Sequence, residues 1–172
     1  MEIIPRRGTF VKTITLKDIE NNFPIRNVLE SLAAKLACKN ISRKEIGEIE
    51  KSFGGMKKAA DQKDAKLFWK YHLQYHEILI ASCGNASLIG ILKMLRMQTL
   101  WHRFYFQYHR EDFQKSLSIH RSILDLLHEK PIDEKKVEKA MQDHLAKGFD
   151  RFIIYLKDQN AVEQEDSEIK SA

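Results

Sequence analysis

Glycine and proline, the residues that most often interrupt helices, are scarce in this chain. Only seven glycines and three prolines occur among 172 residues, which favours an all-helical protein with short connections. The two cysteines, Cys38 and Cys83, fall on predicted buried faces, so we expect core thiols in a reducing compartment rather than a disulfide. No apolar run approaches the roughly 20 residues of a membrane span, and no secretory signal is visible. These absences predict a cytoplasmic protein that does not enter a membrane.

Charge of one sign is not concentrated in any lysine- or arginine-rich block. The net charge is +5, and the hydrophobic content of 43% suffices for a core. A basic excess favours anionic partners such as nucleic acid or carboxylate ligands, whereas its spread along helices favours ordinary solvated faces. The last twelve residues are acidic and polar, and we expect disorder there.

Apolar residues recur at helical spacing in six segments, which begin near Pro24, Ser42, Asp61, Ala86, Glu111 and Asp133. Their short connections predict an antiparallel helical bundle. The predicted organisation is a strand remnant at 1–15, a linker at 16–23, a helical domain at 24–158 and a disordered acidic tail at 159–172.

Local signals define several helix ends. Pro24 suits the first turn of helix one, whose predicted inner stripe comprises Ile25, Val28, Leu29, Leu32, Ala33 and Leu36. Ser42 and Glu45 form a capping box for helix two. Gly84 and Asn85 suit the C-terminal cap of helix three. Helix four, predicted over 86–110, has too many apolar residues for one stripe, including Trp101 and Phe104, and is therefore a candidate subunit interface.

Helix three contains two histidines on an otherwise apolar face. His72 and His76 are four residues apart, so they lie one above the other. A buried imidazole needs a partner for its ring nitrogens, and a metal ion is one such partner. The alternative is a pair of core histidines that are hydrogen-bonded to backbone or water.

Two further histidines are predicted to face inward. His120 and His144 lie within the apolar spacing of helices five and six, whereas His102, His109 and His128 have polar neighbours or lie near helix ends and are interpreted as surface residues. Four inward imidazoles could converge on Zn²⁺, with bonds of ~2.0–2.1 Å, and nickel, cobalt, copper and ferrous iron also accept imidazole. Spacing within single helices does not fix the distance between helices, so core histidines without a metal remain the alternative.

With these residues laid out, the chain resembles the C-terminal effector domain of FadR-type GntR transcriptional regulators from about Phe23 to Tyr155. Four motifs carry the resemblance. In chain order they are residues 26–30 together with 33–37, residues 75–79 followed by 82–85, residues 120–124, and residues 140–145. It implies an all-α bundle of six to seven helices that binds a small effector, commonly a carboxylate, beside a metal.

The family's metal is held by three histidines and an Asp or Asn. His76, His120 and His144 fall on the three histidine positions, and His72 falls on the position of the acid. This departure implies either an all-imidazole site or an open position beside three imidazoles. Zinc is the first expectation for the metal, with nickel, cobalt and iron as alternatives.

The N-terminus resembles the last strand of the winged-helix domain that precedes this module in the family. Arg6, Arg7 and Gly8 carry that resemblance, and the recognition helix that would enter the major groove is absent from these residues. We therefore expect DNA binding only through a domain missing from this chain. The chain itself is then either a truncated regulator or a stand-alone module.

The resulting hypothesis is a ligand-sensing homodimer that is not an enzyme. An effector carboxylate would bind at the metal, with Arg26 as a second, charge-assisted contact unless Arg26 pairs with Glu30, and with Asn85 as a further contact unless Asn85 caps a helix. Two alternatives remain: a helical-bundle metalloenzyme, disfavoured because Glu77 is the only acid beside the histidine pair, and a metal-free structural dimerisation module.

Overall fold

Six helices and one short hairpin make up the described part of the chain. The computed structural model describes residues 2–4, 8–10, 16–98 and 112–171. The helices are α1 (Leu16–Asn40), α2 (Arg43–Asp61), α3 (Ala65–Ala81), α4 (Ala86–Gln98), α5 (Phe113–His128) and α6 (Glu134–Ser171). The predicted all-α bundle is confirmed.

The N-terminal strand has a partner. Strand β1 (Glu2–Ile4) pairs antiparallel with β2 (Gly8–Phe10), and Ile3 lies opposite Thr9. The sequence predicted a lone strand here, whereas pairing within a hairpin satisfies part of its backbone hydrogen bonding. Arg6 and Arg7, which connect the two strands, lie outside the described residues.

Helix α1 begins earlier than the sequence predicted. Residues 16–23 are helical rather than a linker, and Pro24 lies inside the helix instead of in its first turn. Ile19 and Phe23 are both buried, and the Phe23 ring stacks on Phe149 of α6 at a centroid distance of 3.8 Å. Burial of these side chains offsets the hydrogen bond that proline removes from the helix.

The predicted inner face of α1 was partly wrong. Ile25 and Val28 are 50% and 63% exposed, and Leu32 is also exposed. The buried face instead contains Arg26 and Glu30, together with Ala33, Ala34 and Ala37. Small alanines let α1 approach α6 and α3 closely, so a face with an ion pair and alanines is buried in preference to the bulkier apolar one.

Capping interactions join the ends of three helices at one corner of the bundle. Ser42 and Glu45 form the predicted capping box of α2, which is confirmed, and these hydrogen bonds from Ser42 lower the pKa of Glu45. The Ser82 hydroxyl at the end of α3 donates to the other Glu45 carboxylate oxygen at 3.1 Å. The Asn40 amide, at the end of α1, donates to the carbonyl of Cys83 at 3.0 Å.

Of the two residues predicted to form the C-terminal cap of α3, Gly84 and Asn85, only Gly84 has the expected conformation. Gly84 adopts a left-handed conformation with φ of +69°, as glycine readily does. Asn85, however, caps the next helix rather than ending the previous one, because its side-chain oxygen accepts from the Leu88 N–H at 3.0 Å. The Asn85 side chain is therefore engaged at the N-terminus of α4.

Most of the core lies where α2, α3, α5 and α6 meet. Its fully buried members include Ile49, Met56, Phe68, Tyr75, Leu79, Ile123, Leu127, Val137 and Met141. A smaller cluster of Ala33, Ile80, Cys83, Leu88 and Leu92 joins α1 and α4 to the end of α3. Cys38 and Cys83 are free thiols, and burial raises the pKa of Cys38 to about 11.

Helix α6 continues through Ser171 rather than ending near Asp158, so the predicted disordered tail from residue 159 is helical. Residues 159–171 contain no glycine or proline and several good helix formers such as Glu and Gln. The predicted helix four also differs, because α4 ends at Gln98 and residues 99–111 lie outside the described part. Among the described helices, none is long and apolar enough to cross a membrane.

Candidate metal centre

Four of the predicted site residues come together inside the bundle. Helix α3 supplies His72 and His76, α5 supplies His120 and α6 supplies His144. All four side chains are buried, with 5% or less of their surface exposed. One ring nitrogen from each lies within 4.8 Å of those from the others, which is close enough for a single ion to reach all four after small side-chain rotations.

The Nε2 atoms of three histidines converge at ligand spacing. His76 Nε2 lies 3.1 Å from His120 Nε2 and 3.2 Å from His144 Nε2. Metal–imidazole bonds of ~2.0–2.1 Å place neighbouring ligand atoms about 2.9 Å apart in an octahedron and about 3.3 Å apart in a tetrahedron. The observed separations fall between these two values, so the residues present fit a transition-metal ion.

Hydrogen bonding alone accounts poorly for this convergence. His120 Nδ1 lies 2.7 Å from the Ser116 carbonyl oxygen, which can only accept, so Nδ1 carries the proton and the Nε2 of neutral His120 presents a lone pair. His76 Nε2 faces both His120 and His144, and one ring nitrogen offers either one proton or one lone pair. Only one of the two contacts can therefore be a well-formed hydrogen bond, whereas a cation accommodates both.

The surroundings keep His120 neutral and fixed. Burial lowers the pKa of His120 to about 4, although the hydrogen bond with Ser116 opposes that shift. The Tyr75 hydroxyl donates to the His120 backbone carbonyl at 3.0 Å, and burial raises the pKa of Tyr75. A neutral imidazole whose other nitrogen is hydrogen-bonded is the form in which histidine binds metals. Sequence reasoning missed Ser116 and Tyr75, although Ser116 precedes His120 by one helical turn and Tyr75 adjoins His76.

Aromatic rings enclose the cluster. The Trp69 indole stacks on the His72 ring at a centroid distance of 4.7 Å and an angle of 18°, and His76 stacks on His144 at 5.2 Å and 9°. Tyr75 meets His120 edge-on. These contacts restrict ring rotation, and the burial of the four side chains strengthens electrostatic interactions within the cluster.

The donor set is purely imidazole in the described parts of the chain. No carboxylate or thiol joins the four histidines there, and Glu77, one residue after His76, is exposed. Zinc, copper, nickel and iron are the metals that imidazole suits. His128, interpreted from the sequence as a surface residue, is indeed exposed and pairs with Glu50, while His102 and His109 lie outside the described residues.

The remaining predicted site residues make other contacts. Arg26 donates to Glu30 from Nε at 3.1 Å and from Nη2 at 2.7 Å, so the alternative pairing considered for it is the observed one. Asn85 is exposed and caps α4. Gly8 begins strand β2.

An open cleft of about 710 Å³ lies on the outer side of the histidine helix. Trp69 and Leu73 contribute apolar surface to this cleft, and its charges are of both signs, from Lys66 and Lys70 and from Asp64 and Glu77. Trp69 is thus shared between the cleft and the histidine cluster, because the same indole stacks on His72. The cleft is therefore connected to the histidine cluster through Trp69, and none of the four histidines is among the described residues that line it.

Comparison with known proteins agrees with this architecture. The chain is 30% identical over 141 residues to a probable D-xylose utilization operon transcriptional repressor of Paenarthrobacter nicotinovorans, covering 81% of the chain and 60% of the relative. It is 26% identical over 148 residues to the HTH-type transcriptional repressor RspR of Escherichia coli K12, covering 84% and 63%. The chain thus spans less than two thirds of these curated relatives.

Two solved structures share the fold. Escherichia coli McbR/YncC superposes with a TM-score of 0.72 at 18% identity, covering 91% of this chain and 76% of that one. A GntR-family transcriptional regulator from Pseudomonas syringae pv. tomato DC3000 gives a TM-score of 0.66 at 19% identity, covering 91% and 65%. The FCD domain model matches residues 22–147. Since that match covers most of the chain and includes all four clustered histidines, the protein belongs to the FCD domain family.

Proposed function

We propose that this chain is the ligand-sensing and dimerisation domain of a GntR/FadR-type bacterial transcriptional regulator. In this proposal His72, His76, His120 and His144 hold a divalent transition metal, and a small carboxylate effector binds beside it. DNA is bound by an N-terminal winged-helix domain, and the protein works in the cytoplasm. The convergence of four buried imidazoles from three helices carries the proposal, and the repressors among its relatives support the regulatory role.

Zinc is the first candidate for the metal, with nickel, cobalt and iron as alternatives. When bound, the metal supplies a positive centre for a carboxylate oxygen. The protein's part is to hold neutral imidazoles in place, which the hydrogen bond from His120 to Ser116 and the stacking of Trp69 on His72 both support.

The cleft beside Trp69 is our candidate for the effector site. Its apolar surface from Trp69 and Leu73 suits a small carbon skeleton. Its charged rim contains the ammonium groups of Lys66 and Lys70 together with the carboxylates of Asp64 and Glu77, so the positive centre for the effector carboxylate is the proposed metal. An effector whose contacts differ between two packings of the helices would shift the equilibrium between them. In a dimer such a shift would change the spacing of attached DNA-binding domains.

An enzymatic role is disfavoured. Hydrolysis at a metal-bound water calls for a general base within hydrogen-bond reach, and no carboxylate joins the histidines in the part of the chain that the structure describes. Turnover of simple esters, or two metals per chain, would favour the metalloenzyme alternative instead.

The sensor proposal predicts that carboxylate binding depends on the metal. We expect the dialysed protein to retain about one divalent ion per chain, and small mono- and dicarboxylates to raise the melting temperature of the metal-loaded protein by a few degrees. The same acids should have no effect after chelation, and their uncharged amides should have none in either state. Metal analysis and thermal scans test this. Absence of stoichiometric metal, with a melting temperature unchanged by chelator, would instead indicate a structural dimerisation module.

Dimerisation is proposed to use α4 and the neighbouring part of α1. Ile91 and Met94 on α4 are exposed, as are Ile25 and Val28 on α1, which contacts α4. Trp101 and Phe104, part of the predicted interface helix, lie outside the described residues.

We expect a dimer in sedimentation experiments at micromolar concentration and a shift toward monomer in an Ile91→Glu/Met94→Glu variant, because burying a carboxylate in an apolar interface is unfavourable. A monomeric wild type would contradict this part.

A further inference from the structure

We infer that His72 makes the metal centre selective for late first-row divalent cations, from Co²⁺ to Zn²⁺, over Mg²⁺, Ca²⁺ and Mn²⁺. This inference rests on the proposed metal site and adds which class of cation that site accepts. It concerns one side chain, because His72 is the fourth imidazole of a donor set that includes no carboxylate among the described residues.

The chemical argument is the uniformity of the donors. All four clustered side chains are imidazoles, and no described carboxylate offers an oxygen to the cluster. Mg²⁺, Ca²⁺ and Mn²⁺ favour carboxylate, carbonyl and water oxygens. Imidazole suits zinc, copper and nickel, and affinities for nitrogen donors rise from Mn²⁺ to Cu²⁺. A neutral nitrogen set brings no negative charge that would offset the dehydration of a hard cation.

The position of His72 makes it part of that set. Its ring lies 4.7 Å from both the His76 and the His120 rings, measured between centroids. It is buried, and Trp69 covers one face in a nearly parallel stack. The stack limits the planes that the imidazole can adopt, so the ring is held beside the other three rather than turned toward solvent.

The spacing of the other donors fits a transition-metal ion. Nε2 separations of 3.1 and 3.2 Å correspond to metal–ligand bonds of roughly 2.2 Å in an octahedron and shorter ones in a tetrahedron. The spacing alone does not separate these cations, because the seven-coordinate geometry of Ca²⁺ also brings neighbouring donors close together. Donor chemistry counts against Ca²⁺, Mg²⁺ and Mn²⁺ alike, since all three favour oxygen ligands.

The test is to give the site one carboxylate in the full chain. Affinities for Ni²⁺, Zn²⁺, Mn²⁺ and Mg²⁺ are measured by competition with a chromophoric chelator for wild type, His72→Asp and His72→Ala. We expect His72→Asp to lower the ratio of Ni²⁺ to Mn²⁺ affinity about tenfold or more, with a gain for Mn²⁺ itself. His72→Ala should weaken Ni²⁺ binding without any gain for Mn²⁺. The absorption spectrum of bound Co²⁺ should change in His72→Asp, because one nitrogen donor becomes oxygen.

The matched control is His128→Asp, which makes the same substitution at an exposed histidine outside the cluster and should leave the ratio unchanged. Should His72→Asp not fold, His72→Asn provides a neutral oxygen donor and should lower the ratio in the same direction. A ratio within about twofold of wild type in folded variants would overturn the selectivity inference alone. Failure of the wild type to bind any of these ions would overturn the proposed function.

Discussion

Replacing His76 with alanine is expected to reduce the metal content of the dialysed protein from about one ion per chain to near zero. His76 has the central position among the donors, because its Nε2 is within 3.2 Å of both His120 Nε2 and His144 Nε2. Metal at a hundred times its dissociation constant stabilises the folded state by about 2.7 kcal/mol. We therefore expect metal to raise the melting temperature of the wild type by about 5–10 °C, and that of the variant hardly at all.

The control for this experiment is His128→Ala. His128 is an exposed histidine whose Nε2 lies 2.9 Å from a Glu50 carboxylate oxygen, so its loss removes an imidazole without touching the cluster. His76→Gln serves as a second variant that leaves a smaller cavity. Elemental analysis and thermal scans with and without chelator give the result. Stoichiometric metal in folded His76→Ala would refute the proposed centre.

Loss of one partner from the buried ion pair on α1 is expected to destabilise the protein strongly. Arg26 and Glu30 are 5% and 1% exposed, and Arg26→Met would leave the Glu30 carboxylate in a region of low dielectric without the guanidinium. Breaking buried pairs in this way costs about 3–5 kcal/mol, whereas replacing both partners with apolar residues is often nearly neutral. We expect Arg26→Met/Glu30→Leu to recover most of the free energy of unfolding.

The chain offers a matched pair for comparison. Arg121 and Asp125 have the same spacing on α5 and a distance of 2.8 Å, but they are 60% and 54% exposed. Arg121→Met should cost less than about 1 kcal/mol, as exposed pairs do. Urea denaturation in the presence of chelator separates these effects from metal binding. Equal losses of unfolding free energy in the two arginine variants would show that the Arg26–Glu30 pair stabilises the protein no more than an exposed pair does. Loss of carboxylate binding in the folded double variant would indicate that Arg26 contacts the effector.

The sequence predicted the direction of the four histidines better than their distances. Helical periodicity indicated that His120 and His144 face inward from their own helices. It contained no measure of the space between α3, α5 and α6, so the periodicity alone left a metal site and separate core histidines as alternatives. Only the family resemblance predicted that the four histidines share one site, and the structure now gives the distances between their ring nitrogens. The stacking of Trp69 on His72 depends on rotamers, which the sequence does not specify.

Helix α1 shows why an apolar pattern can select the wrong face. The stripe from Ile25 to Leu32 has the periodicity of a core face, yet three of its four residues are exposed and Leu29 is only partly buried, while the ion pair beside them is buried. Burial depends on what the neighbouring helices can approach, and the alanines of α1 allow a close approach that larger side chains prevent. Pro24 was predicted to lie in the first turn of the helix. The helix instead continues across Pro24, because packing of Phe23 against Phe149 stabilises the turns before it.

The three helices that carry the histidines are far apart along the chain, with 68 residues separating His76 from His144. An ion bound to both therefore acts as a cross-link that closes a long loop, and such links remove conformational entropy from the unfolded chain. Because the unfolded chain cannot assemble the proposed site, metal uptake and folding would share one equilibrium. Under the proposed metal binding, the apparent stability of the protein would depend partly on the free metal concentration around it.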